Sequence, residues 1–307
     1  MFMGTPDFAV PALQALHSEF GVSTVVTTPD KPRGRGLTVT PSAVKQAALD
    51  LGIKDILQPE KLKDPSFAID IAARQPDVIC VIAFKILPRT VFSASSKGTF
   101  NVHASLLPRF RGAAPINHAI IEGDHQTGVT SFLLDDIVDT GTILLQQRCD
   151  IPDGTTAGEL YTMLMPMAAE CARETTRGLL AGTLTPHTQN DALATPAPKV
   201  FRESACIDWS QSALRVRNFI HGYSPSPCAW TMWDNQVLKI YRASHAAGSL
   251  APGVWHIEGG RLLVGCSDGL LSIDEIQLLG KRRMFTSEML PGYRGQLEGV
   301  FHKVHHA

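Results

Sequence analysis

The sequence predicts an α/β domain on a mostly parallel sheet, followed by a small antiparallel β-barrel. Three observations carry this. Strand-like runs alternate with helical stretches in the first part of the chain, the pattern of a parallel sheet with crossover helices. Asp77 to Ala83 (DVICVIA) is apolar after its first residue, as a central strand buried on both faces requires. Beyond a Thr/Pro/Ala-rich stretch from Leu184 to Lys199, short strand-like runs are separated by Gly and Asp turns. A chain of 307 residues is also long for one core and suits two domains. The expected division is 1–187 for the α/β domain, 188–202 for a linker and 203–307 for the barrel.

Taken in order, Phe2 to Gly4 is a short first strand ending in Gly-Thr-Pro-Asp. A helix follows through Phe8, Val10, Leu13 and Leu16, and Gly21 to Thr28 is β-branched and strand-like. Pro29 to Pro41, rich in Pro, Gly and basic residues, reads as a long loop. Thr99 to His103 and Val129 to Leu134 are further strands. Gly4, Ala83, His103 and Leu134 are expected at the carboxyl edge of the sheet, where such folds bind ligands. Thr156-x-x-Glu159 has capping-box form, and Gly182 suits a C-terminal stop, so a helix is expected between them, kinked or broken at Pro166. Ala213 to His221 is a candidate helix. Val237 to Tyr241, Gly253 to His256, Leu262 to Cys266 and Leu270 to Ile276 are candidate strands.

Bulk properties exclude several classes. No segment approaches the roughly 20 apolar residues of a membrane span, and no signal-peptide pattern is visible. The six cysteines are scattered without a CxxC pair, as expected of reduced thiols in a cytoplasmic protein. The net charge of −1 hides an asymmetry. Residues 1–195 carry 16 Lys+Arg against 20 Asp+Glu, and residues 196–307 carry 12 against 9. A mildly basic C-terminal part suits a polyanion, and equally a solvated face.

Asn101 and His103 are two apart on one strand, so their side chains share a face. Asp139-Thr140-Gly141 lies in a later loop able to close over them. These types suit acyl transfer from an N-formyl donor to an amine. An α-amino group has a pKa of roughly 7.7–8.0, so a useful fraction is neutral near pH 7. Negative charge develops on the formyl oxygen, and an Asn amide and a His N–H can meet it. The amine's proton must leave, and a carboxylate beside a His can orient or relay it. Neither a metal nor a covalent nucleophile is required. On spacing alone, an ordinary strand-end histidine and an ordinary turn are the commoner readings.

The stretch NVHASLLP from Asn101 to Pro108 runs on through RFRGAAPIN. With Gly123-Asp124-x-x-Thr127-Gly128-Val129-Thr130 and Asp139-Thr140-Gly141, it resembles the signature of the folate-dependent formyltransferases. The resemblance covers nearly the whole chain. It implies a Rossmann-like domain followed by an OB-like barrel. It makes Asn101, His103 and Asp139 catalytic and 10-formyltetrahydrofolate the co-substrate. Ser105, Leu106, Leu107 and Pro108 match the folate-binding segment. Val81 to Pro88 (VIAFKILP) resembles a wall of the pterin pocket, contributing Phe84, Ile86 and Leu87. Its Phe84-Lys85-Ile86 stretch is one residue shorter than usual. Asp135 to Val138 would line the other side, with Asp136 and Val138.

The opening FMGTPDFAVPAL and the PDKPRGRG loop resemble one branch, whose acceptor is the α-amino group of initiator methionyl-tRNA. In that branch the loop approaches the tRNA acceptor end, which implicates Lys31, Arg33, Gly34 and Arg35. Cations suit phosphates and glycines let backbone come close. Lys281, Arg282 and Arg283 form a second basic cluster expected to meet the same RNA. The three histidines of the tail, His302, His305 and His306, are read as part of a disordered end rather than a metal site. Nothing requires more than a monomer. A formyltransferase for a small amine, such as a purine precursor or an amino-sugar nucleotide, would share the triad. A non-catalytic RNA-binding protein would leave it without purpose.

Overall fold

The computed structural model describes residues 1–33 and 38–301. The chain divides into two compact units. One comprises Met1–Pro115, Thr127–Cys149 and Tyr161–Ala197, the other Ile116–Gln126, Asp150–Leu160 and the chain from Pro198.

In chain order the first elements are β1 (Phe2–Gly4), α1 (Val10–Phe20), β2 (Thr24–Val26), β3 (Lys31–Arg33), β4 (Thr38–Thr40), α2 (Ala43–Asp50), β5 (Asp55–Leu57), α3 (Pro65–Ala73) and β6 (Val78–Ile82). Then come α4 (Arg89–Phe92), β7 (Gly98–His103), α5 (Pro115–Ile121), β8 (Gln126–Leu133), β9 (Ile143–Asp150) and α6 (Ala157–Ala181). Local chemistry explains most boundaries. α1 stops at Gly21, which takes the left-handed conformation. Ser42 caps α2 by accepting from the Lys45 N–H, and Asp64 caps α3 by accepting from the Ser66 N–H. Thr156 and Glu159 close the capping box that starts α6, the Thr156 N–H donating to Glu159 Oε2 at 2.8 Å.

The sheet of the first unit runs β5-β2-β1-β6-β7-β8-β9. The first five strands are parallel, and every residue of the central β6 is buried, as its unbroken apolar run requires. β8 is antiparallel to β7, with His103 opposite Thr130 and Phe100 opposite Leu133. Gly4, Ala83 and His103 therefore end strands at the carboxyl edge, but Leu134 does not. Its N–H donates to Thr99 O, at the other end of β7. Reversal of strand direction is the reason, and periodicity alone carries no direction.

Other expectations need correction. Pro29–Pro41 is not simply a loop, because β3 and β4 pair antiparallel within it, Thr38-Val39-Thr40 supplying β-branched residues. α6 runs through Pro166 without a break. Residues 188–197 are not a free spacer. Thr195 and Ala197 exchange backbone hydrogen bonds with Pro108, Arg111 and Ala114, and all of these lie in the first unit. β5 and β9 went unread because each lacks a distinctive apolar period.

The second unit holds α7 (Ala213–Gly222), β10 (Ala229–Trp233), β11 (Gln236–Ala246), β12 (Val254–Glu258), β13 (Arg261–Gly265), β14 (Leu270–Leu278), β15 (Met284–Phe285), α8 (Thr286–Met289) and β16 (Glu298–Val300). Its antiparallel sheet runs β10-β11-β14-β13-β12-β16, with β15 on β14, and curls in the OB-like manner expected. Register shifts in β11 around Arg242 mark a bulge, which bends a strand and aids such curling. The core is aromatic: Phe301 stacks on Trp209 and Trp255 at 5.6 and 5.7 Å between ring centroids.

Candidate active site

Asn101 and His103 sit near and at the end of β7, beside the carboxyl end of β6. The strand pleat puts both side chains on one face. His103 is buried, and its Nε2 donates to Phe110 O at 2.8 Å, because a carbonyl can only accept. In a neutral ring this leaves the Nδ1 lone pair free. Nδ1 faces Asp139 Oδ2 at 3.8 Å, beyond hydrogen-bond range. Asp139 is buried as well, and its Oδ2 accepts from the Gly112 N–H at 2.8 Å. The ring nitrogen and the carboxylate oxygen thus face each other across a gap, without a direct hydrogen bond. Asn101 contributes a buried Oδ1 with no hydrogen-bond partner, a costly state that a ligand N–H would relieve.

How Asp139 gets there is a matter of the loop after β8. That strand ends far from His103, and residues 134–141 return to it. Asp139 takes the left-handed backbone conformation at φ 58°. Such a conformation costs a non-glycine residue about 1–3 kcal/mol, which the surroundings must supply. Gly141 has no room for a side chain: a Cβ there would lie 2.9 Å from the carbonyl carbon of Leu133 and nearer still to its oxygen. The glycine of Asp-Thr-Gly is therefore a steric demand of this turn.

The segment expected to hold folate is rigidly braced. Thr130 Oγ1 donates to Ser105 O at 2.7 Å and accepts from the Leu107 N–H at 3.1 Å. Gln146 Nε2 donates to Leu107 O at 2.8 Å. The side chains of Ser105 and Leu107 are buried, whereas Leu106 and Pro108 are half-buried, so the segment presents main chain and Leu106 rather than the serine hydroxyl, which donates to Arg109 O. On the other expected wall, Leu87 is buried in the core cluster with Val81 and Val91, and Phe84 packs against that cluster. Ile86, by contrast, is 76% exposed, as are Ile137 and Val138 at 68% and 48%. Three exposed aliphatic side chains on two loops are unusual next to buried polar groups, and they suit a flat apolar ligand. Arg89 ties the loops together through a 2.5 Å ion pair with Asp136.

Lys31 is exposed on β3, whose backbone pairs with β4 through Arg33. Gly34 and Arg35 lie outside the described residues, as do the tail histidines. Lys281, Arg282 and Arg283 follow β14 in the second unit. Arg282 is 72% exposed and pairs with Glu288 at 2.8 Å. Arg283 is more deeply engaged, with both Glu275 oxygens at 2.5 and 2.6 Å and the Tyr241 ring at 4.2 Å.

Sequence reasoning passed over two residues. Gln189 Nε2 donates to Asp139 O at 2.9 Å and Gly141 O at 2.8 Å, and its Oε1 accepts from Arg111. Arg111 lies within the quoted RFRG run, so its neighbourhood carried a signal. Gln189 carried none, being a lone amide in an aperiodic stretch.

Comparison with known proteins agrees with this geometry. Residues 1–173 match the formyl transferase family model, and residues 199–294 match the formyl transferase C-terminal domain. The chain is 45% identical to the methionyl-tRNA formyltransferase of Chlorobium phaeovibrioides, covering 98% of this chain and 97% of that one. It is 40% identical to the enzyme of that name from Clostridium novyi, covering 98% of each. Among solved structures, the N-formyltransferase of Helicobacter canadensis, in complex with folinic acid and dTDP-3-aminofucose, superposes with a TM-score of 0.69 at 14% identity, over 92% of this chain and 98% of that one. HypX from Aquifex aeolicus, in complex with tetrahydrofolic acid, gives 0.61 at 17%, over 94% of this chain and 46% of that one. At these identities the two structures speak to the fold alone. A match over nearly full length, at up to 45% identity, means that this chain belongs to the formyl transferase family, in its methionyl-tRNA formyltransferase branch.

Proposed function

We propose that this one-carbon transferase moves a formyl group from 10-formyltetrahydrofolate to the α-amino group of initiator methionyl-tRNA. The observation that carries the reading is the buried His103–Asp139 pair, with Asn101 on the same strand face as His103 and its Oδ1 buried without a partner, in a chain that matches proteins of that name over nearly its whole length. The folate supplies the formyl group and takes up a proton on its departing nitrogen. Asn101 has both an acceptor and donors, so its Oδ1 can take an N–H of the amine while its Nδ2 meets charge growing on the formyl oxygen. His103 Nδ1 and Asp139 Oδ2 hold the proton the amine loses. The Phe110 carbonyl fixes the ring for that task, and the Gly112 N–H fixes the carboxylate.

Ser105 to Pro108 would hold the folate through main chain and Leu106. Phe84, Ile86 and Val138 would flank the pterin, with Asp136 keeping its loop in place through Arg89 and Leu87 supporting the wall from the core. The orphaned Asn101 Oδ1 and the exposed Ile86, Ile137 and Val138 support that fit. Lys31, Arg33 and Arg35, Gly34 between them, and the Lys281–Arg283 cluster would meet tRNA phosphates. We place the catalytic chemistry within residues 1–187 and RNA binding on the C-terminal barrel together with the 31–35 segment. No disulfide joins any of the six cysteines, which suits a reducing cytoplasm.

The deciding assay supplies 10-formyltetrahydrofolate with initiator methionyl-tRNA, elongator methionyl-tRNA, free methionine and an amino-sugar nucleotide in parallel. Transfer to the initiator tRNA alone is expected. Transfer to the sugar and to no tRNA would replace the acceptor, and transfer to none would end the reading.

A further inference from the structure

Gln189 is buried, and its amide is fully engaged. A primary amide has two N–H donors and an oxygen with two lone pairs. Both donors are given to carbonyls of the Asp139 loop, those of Asp139 and Gly141. The oxygen receives two N–H groups of Arg111, Nε at 3.1 Å and Nη2 at 2.8 Å. A glutamate would keep the Arg111 contact and lose both donors, and a lysine would lose the acceptor. This chemistry therefore selects an amide.

The same segment also fixes the partner of the Asp139 carboxylate. Ala197 donates to Arg111 O at 2.7 Å and accepts from the Ala114 N–H at 3.1 Å, bracketing Gly112. Thr195 accepts through its hydroxyl from the Phe110 N–H at 2.9 Å, next to the carbonyl that holds His103. Residues 189–197 thus brace three things at once: the Asp139 turn, the Gly112 donor and the Phe110 acceptor. Each of these touches the His103–Asp139 pair.

We propose that Gln189 is a positioning residue that keeps the Asp139 carboxylate against His103, and that residues 189–197 brace that pair from outside the reacting groups. Its catalytic consequence rests on the proposed formyl transfer. The left-handed Asp139 turn is held through the two carbonyls Gln189 grips, besides the bond from the Thr140 hydroxyl to Ile137 O at 3.0 Å.

The test uses the full chain with Gln189→Glu and Gln189→Ala, each alone and combined with Asp139→Asn. Amide hydrogen exchange of Gly112 reports directly whether the carboxylate stays in place, whatever the reaction. Exchange at Gly112, measured well below the melting midpoint of each protein, is expected to accelerate in both single variants. Turnover on initiator methionyl-tRNA should fall about tenfold or more in kcat, since a misplacement of about 1 Å costs up to about 100-fold. KM for the tRNA should move by less than about twofold, and in the Asp139→Asn background the Gln189 change should cost little more, as expected of residues acting as one unit. Unchanged Gly112 exchange overturns the inference, as does an equal loss of kcat with and without the Asp139 carboxylate. Faster Gly112 exchange together with a fully active Asp139→Asn enzyme would instead uphold the positioning and remove the catalytic role given to Asp139.

Discussion

Replacing Gly141 by alanine puts a methyl group where the structure has main chain. The new Cβ would stand 2.9 Å from the carbonyl carbon of Leu133, 3.2 Å from a ring carbon of Phe132, and in hard overlap with the Leu133 oxygen. The obstacle is backbone of β8, paired with β7, so β8 cannot give way as a flexible side chain would. The backbone of Gly141 does not adopt a positive φ, so the cost is steric and not conformational. Relief requires the 134–141 loop to lift by roughly 1 Å, and a displacement of that size costs about 100-fold in rate when it moves a reacting group. Overpacking itself should cost about 1–3 kcal/mol of stability. Asp139 is two residues away and shares the Gln189 clamp, so the shift reaches its carboxylate. Formyl transfer to initiator methionyl-tRNA and thermal unfolding of Gly141→Ala are the measurements. A variant that retains turnover within about twofold of the parent would refute the claim that this turn sets Asp139, because the steric overlap would then have been absorbed elsewhere.

Three further outcomes are expected. His103→Ala and Asp139→Asn should each lower kcat about tenfold or more with folding intact, the low end of a general acid or base contribution, and near-full turnover by either would remove its role. Arg282→Ala, at an exposed site, should raise KM for tRNA and make it less dependent on salt, and parallel salt titrations of variant and parent would count against a phosphate contact. His221 is pushed by burial, aided by the charges of Arg242 and Arg217, down to about 4 from 6.5. The unfolded chain then binds a proton between pH 6.5 and 4 that the folded one refuses. Stability is therefore whole above pH 6.5 and falls as the pH drops through that window, by about 2 kcal/mol at pH 5. Urea unfolding at pH 7 and pH 5 should show this loss in the parent and less of it in His221→Gln. An equal loss in both would assign it to other groups.

Much of this protein is written in short-range spacing. The apolar run Val78 to Ile82 had to be a central strand, because only burial on both faces rewards it. Thr156 and Glu159 are three apart and meet across one helical turn. Asn101 and His103 share a face because a pleat repeats every two residues. The family resemblance worked on the same scale, through NVH, SLLP and DTG. Tertiary structure alone decided the rest. Strand direction is invisible to periodicity, so the reversal of β8, and with it the long return of the Asp139 loop, appears only in the pairing of Phe100 with Leu133. Gln189 gains its meaning from two carbonyls about 50 residues away and a guanidinium 78 away, and its sequence neighbours say nothing of either. Sequence alone marked Asn101, His103 and Asp139 as the candidates for the proposed chemistry. The long-range hydrogen bonds that hold His103 and Asp139 at 3.8 Å depend on how distant segments meet, and only the fold brings them together.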